Sequence, residues 1–134
     1  MTTPAETTSA AESGAPTSAV EQRLAELGLT LPEVAAPVAD YVPAIVSGNY
    51  VYTSGQLPFI KGKLEATGKV SLGELGASDE PTVDPEDAKR YAAVCAINAL
   101  AAVKSVIGDL DRITRIVKVA VSYTHLTLPT ICSV

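Results

Sequence analysis

The chain has 134 residues, enough for one domain, and 47% of them are hydrophobic. Its formal net charge is −5 and its ten basic residues are scattered, so no cluster can neutralise consecutive phosphates and no nucleic-acid partner is expected. No window approaches the ~18 apolar residues of a membrane span, and two cysteines, Cys95 and Cys132, supply neither a disulfide framework nor a metal site.

From Thr2 to Ala19 the chain is almost entirely Thr, Ser, Ala, Glu, Pro and Gly. Such a stretch cannot bury enough apolar area to offset the entropy of ordering it, and residues 1–19 are expected to form a disordered leader. It has neither the basic start and apolar run of a secretory signal nor the Arg-rich, acid-poor make-up of a mitochondrial presequence. The cytoplasm is therefore the expected compartment.

Val20 to Gly28 predicts a short amphipathic helix, with Val20, Leu24 and Leu27 on one face. Leu31 to Val38 is Pro-punctuated and reads as extended loop. Tyr41–Val46 and Tyr50–Ser54 read as two strands joined through Ser47-Gly48-Asn49, a hairpin in which Pro43 marks an edge or an irregular start. Phe59–Val70 suggests a third, weaker strand, and Ser71–Val83 a loop. Pro85 to Ile107 is the clearest helix. Asp84 suits the N-cap, Pro85 the first turn, Glu86 and Asp87 the positive end of the dipole, and Gly108 the stop. Between Ala92 and Val103 only Asn98 is polar, so this helix calls for cover on two sides. Cys95, among Ala and Val, reads as a buried, unreactive thiol. Asp109–Arg112 is a turn, and Ile113–Val119 alternates towards a strand. Strand, strand, strand, helix, strand is an α+β or split βαβ order.

The segment Val121-Ser-Tyr-Thr-His-Leu-Thr-Leu-Pro-Thr130 has a different character. Back-translated, it can read GTC TCT TAT ACA CAT CTG ACG CTG CCG ACG, which is identified as the transposon-end adapter of DNA sequencing libraries. The adapter's preceding CT would complete an alanine codon, and residue 120 is Ala. Residues 121–134 are therefore expected to be a non-native tail, which leaves 20–120 as a partial domain and gives His125 and Cys132 no role.

Within 20–120, the run Ala36 to Pro58 carries Tyr41, a strand, Gly48-Asn49, a second strand and Thr53-Ser54-Gly55-Gln56-Leu57-Pro58. It resembles the opening of the reactive intermediate deaminase family, also called RidA, YjgF or the L-PSP-like endoribonuclease group. Ala66-Thr-Gly-Lys-Val70, the helix from Asp87 to Gly108 and Asp111 to Val119 resemble the elements that follow. Asp40, where many members carry Pro, and the expanded loop 71–82 depart from the pattern.

The resemblance implies a chorismate-mutase-like α+β fold, here with the second helix and last strands missing, and a homotrimer with clefts between subunits. It implies hydrolysis of enamines and imines such as 2-aminoacrylate to a 2-keto acid and ammonia, with no cofactor and no metal. The family's Arg and Glu, which clamp the substrate carboxylate and handle the attacking water, would lie beyond this chain, so no catalytic residue is expected within it. Tyr41, Ser54, Gly55 and Gln56 match the family's cleft-lining positions. On the residues alone, Tyr41 can simply open an edge strand and Ser54-Gly55 turn the chain. Asp84 and Glu86 are explained by capping, and Arg112, Arg115 and Lys118 by a solvated strand face. Two other functions stay open: a non-catalytic trimer binding a carboxylate-bearing metabolite, and a ribonuclease, against which the acidic balance weighs.

Overall fold

The computed structural model describes residues 18–34, 40–71 and 81–123. Nearly all of the expected leader, and the expected tail from residue 124, lie outside the described residues. The architecture is α+β, with two helices and two small sheets.

Helix α1 spans Ala19–Glu26, close to its expected place. Ser18 is its N-cap, the hydroxyl accepting from Glu21 N at 3.1 Å. Eight residues are too few to hold a helix alone in water, so α1 depends on what it docks against. Leu24 is buried, Glu21 pairs with Lys104, and the Asp111 carboxylate accepts from Ala19 N at 2.8 Å and Val20 N at 2.9 Å.

The hairpin forms as expected, with β1 at Ala44–Ser47 and β2 at Tyr50–Thr53, antiparallel in the register Ala44↔Thr53 to Ser47↔Tyr50. Gly48 opens the two-residue connection at φ +57°, a conformation that favours glycine. The first strand starts at Ala44 rather than Tyr41, because Pro43 has no N–H to add to the ladder. Its carbonyl is still used, accepting from Ser54 N at 2.9 Å.

Two sequence expectations need correction here. The third strand is not continuous over 59–70. Lys61 and Gly62 both take positive φ, turning the chain beneath an isolated Ile60↔Lys63 bridge, and only Lys69–Val70 becomes a strand, β3. The expected loop 71–83 in turn ends in a strand, β4 at Thr82–Val83, which pairs in parallel with β3. Residues 72–80 of that loop lie outside the described residues. Gly68 makes this pairing possible: at φ +149°, a Cβ there would lie 2.3 Å from Pro81 O. Gly68→Ala should therefore part β3 from β4 at a cost of about 1–3 kcal/mol, measured by urea unfolding of the full chain encoded at the locus.

Helix α2 runs Pro85–Ile107, with Asp84 accepting from Glu86 N at 2.9 Å, and it lies across the hairpin. Ala44 of the hairpin and Ala101, Ala102 and Val103 of the helix are buried, and Leu110, in the 3-10 turn Leu110–Arg112 that packs on α2, is fully buried. By length and composition α2 passes for a membrane span, with mean hydropathy 1.4 over its best window, contrary to the sequence expectation that no such window exists. Its hairpin contact and buried Asn98 mark it instead as a sheet-covering helix.

The last expected strand is a further correction. Among the described residues, 113–123 join no ladder, and Ile116 and Val117 are 62% and 63% exposed. Alternation shows that a segment suits a strand, but a strand exists only where a neighbour takes its hydrogen bonds.

Candidate functional site

The hairpin pairing brings three of the expected site residues to one end of the sheet. Antiparallel pairing of Ala44 with Thr53 carries the chain before β1 alongside the chain after β2. Beyond the ladder, Ser54 continues the pairing twice: its N–H donates to Pro43 O, and its hydroxyl donates to Val42 O at 2.5 Å. Tyr41, next to Val42 and 41% exposed, is thus held at the same end as Ser54 and Gly55. Ser54 has no second proton to offer, so towards a ligand its hydroxyl can only accept.

Gly55 is exposed, and a Cβ added there would meet nothing within 4 Å. Its φ does not call for glycine and no neighbour forbids a side chain. Among the described residues its N–H makes no hydrogen bond. Open space above an unused amide donor is a surface on which a carboxylate oxygen can settle. Gln56 folds back, Nε2 donating to Ser54 O at 3.1 Å, which leaves one amide proton and the side-chain oxygen available.

One residue that sequence reasoning gave no site role supports this end of the sheet. Asn98, 8% exposed, donates from Nδ2 to Leu57 O at 2.9 Å and Phe59 O at 3.2 Å. Its signal was present, since it is the one polar residue in the apolar run of α2. Asp111 is the other residue outside the expected set, but its work lies at α1.

Two arginines elsewhere are committed to other contacts. Arg90 meets Glu65 at 3.0 Å and Asp87 at 3.5 Å, and stacks 4.6 Å from the Tyr91 ring centre. The Glu65 hydrogen bond holds its guanidinium above the ordinary value, so it is not a free anion clamp. Arg112, expected on a solvated strand face, instead donates to Ile107 O at 2.7 Å and closes the end of α2. Cys95 is half-buried, and desolvation pushes its thiol up, away from the reactive thiolate.

Two backbone N–H groups, of Val20 and Ala19, hold the exposed Asp111 carboxylate below its ordinary range. A depressed folded pKa contributes stability that is present above the unfolded value of ~3.9 and lost as pH falls through the lower folded one. In the full chain encoded at the locus, α1 should therefore loosen only in strong acid. Asp111→Asn should loosen it already at neutral pH, read as faster amide exchange over residues 19–26 while α2 keeps its protection.

The comparisons with known proteins agree with this architecture. A family model described as YjgF/chorismate mutase-like, putative endoribonuclease matches residues 21–127, running past Ala120. Protein TCP17 of Trypanosoma cruzi is 36% identical over 102 residues, covering 76% of this chain and 58% of TCP17. Among solved structures, a putative endoribonuclease from Shewanella oneidensis MR-1 matches with TM-score 0.61 at 33% identity, over 72% of this chain and 58% of that one. The protein Atu1372, of unknown function, from Agrobacterium tumefaciens matches with TM-score 0.56 at 47% identity, over 72% and 53%. The chain thus spans 53–58% of the length of these relatives.

Proposed function

We propose a function from the premise that this chain belongs to the YjgF/chorismate mutase-like family, whose model covers residues 21–127. The protein that carries these residues hydrolyses reactive enamine and imine intermediates of the 2-aminoacrylate type, in the cytoplasm and as a homotrimer. The observation that carries the reading is the exposed Gly55 backbone, an amide donor unused among the described residues, with open space where a side chain would stand, at the same sheet end as Tyr41. In this reading the amide takes a substrate carboxylate oxygen, and Tyr41 and Gln56 border it. Water adds to the imine carbon, and the resulting carbinolamine expels ammonia to leave the 2-keto acid. The charged residues for that addition come from outside the matched length, in a subunit whose sheet is completed by further chain.

A second reading, cleavage of RNA, is favoured by the name of the Shewanella oneidensis protein. The formal charge of −5 and the pairing of Arg90 with carboxylates weigh against it. The test uses the full chain encoded at the locus. 2-Aminoacrylate is generated in situ by a pyridoxal-phosphate dehydratase, and keto-acid release is compared with the spontaneous rate; single-stranded RNA is offered in parallel. Accelerated keto-acid release with intact RNA is expected. Cleaved RNA with no acceleration would replace the deaminase reading by the nuclease one, and neither reaction would leave a carboxylate-binding protein.

A further inference from the structure

We propose that Asn98 is the positioning residue of the ligand-facing segment, so that the geometry of Ser54-Gly55-Gln56 is set from helix α2 rather than by the hairpin alone. The inference rests on the functional reading for what the segment binds, though not for how the segment is held.

The hairpin ladder ends at Thr53, and Ser54 is the last residue that the Pro43 and Val42 carbonyls hold. Beyond it the chain has no strand partner until the Ile60↔Lys63 bridge. Between these two anchors run Gly55, whose N–H donates to none of the described residues, and Gln56, whose side chain bonds back to Ser54 O. The one long-range polar hold on this stretch is the Asn98 amide, which grips Leu57 O and Phe59 O together. Two carbonyls two residues apart, both turned to one donor, fix the direction of the backbone over Leu57-Pro58-Phe59. Pro58, with its locked φ, carries that constraint back towards Gln56.

The side chain is also costly where it stands. Asn98 is 8% exposed on a helix whose neighbouring residues are Ala, Ile and Leu, where an apolar side chain of similar volume would pack without any polar group to satisfy. A purely structural helix face has no need of a buried amide. A loop that must present a backbone N–H at a fixed angle does.

The experiment uses the full chain encoded at the locus and the substitution Asn98→Leu, which keeps the branching at Cγ and removes the donor. Without ligand, amide exchange at Phe59 and Ile60, whose N–H groups donate to Leu57 O and Lys63 O, should quicken about tenfold, while residues 44–53 and 92–103 stay within twofold of wild type. Asn98→Gln, which keeps an amide, should restore part of the protection. With 2-aminoacrylate as the probe, Asn98→Leu should raise KM more than it lowers kcat. Fast exchange at Phe59 and Ile60 in the wild type, or equal loosening of all three regions in Asn98→Leu, would overturn the assignment. Should the exchange pattern appear in a protein that does not turn over 2-aminoacrylate, the positioning role stands and the deaminase reading alone fails.

Discussion

The 134-residue polypeptide should show no cooperative thermal transition at neutral pH, bind a hydrophobic dye in its native buffer and self-associate as its concentration rises. The expectation comes from which residues are inside. Among the described residues half of the buried hydrophobic set is alanine, Ala44, Ala101 and Ala102, beside Leu24, Val103 and Leu110. Many of the larger ones are outside. Ile45 and Tyr52 pair across one face of the hairpin at 57% and 58% exposed, with Tyr50 on the same face, and Ile116, Val117 and Val119 are exposed on a segment with no ladder partner among the described residues. Each large aliphatic left in water forgoes ~1.5–3 kcal/mol, against a whole-domain stability of ~5–15 kcal/mol. Four or five such residues are enough to erase the margin. The free edges of the hairpin offer the backbone groups through which association proceeds. The full chain encoded at the locus, if it continues beyond Ala120 as a family member, should by contrast melt in one sharp transition. A sharp, reversible melt of the 134-residue chain, monomeric and free of dye binding, would show that these faces need no cover.

The contrast between legible and illegible parts follows how local each determinant is. Asp84, Pro85 and Gly108 delimit α2 within the helix's own sequence, and the structure places its ends there. The hairpin is equally local, since Gly48-Asn49 fixes the turn and the turn fixes the register. The pairing of Lys69–Val70 with Thr82–Val83 escaped notice because two residues carry no periodicity. The glycine before it was the available signal, once one asks what could approach so closely. Asp111 reads as a turn residue, and nothing near it in the sequence says that its carboxylate caps a helix that begins 92 residues earlier. Ile113–Val119 has the right alternation but no ladder partner among the described residues, and a partner is something no local pattern can supply. At the site, the family motif drew attention to Tyr41, Ser54, Gly55 and Gln56 as a group. The structure divides their labour: Ser54 spends its proton on Val42 O, and Gly55 spends nothing.

That division makes Gly55→Val the most informative substitution in the segment. A glycine is usually held by a positive φ or by a crowding neighbour, and Gly55 has neither. A valine there should leave the urea midpoint of the full chain nearly unchanged, within the ~0.5 kcal/mol typical of surface substitutions. Its branched Cβ would stand in the open space over the amide, where the proposed substrate carboxylate must come within hydrogen-bond reach. A displacement of about 1 Å at such a contact costs on the order of 10²-fold in turnover, so kcat/KM for 2-aminoacrylate should fall by about that factor. Gly55→Ala, with a single methyl, should fall between. The pairing of a large kinetic loss with an unmoved stability is what separates a ligand surface from a mere turn. If Gly55→Val processed substrate as the wild type does, the space over Gly55 would be solvent and nothing more, and the carboxylate would have to bind elsewhere.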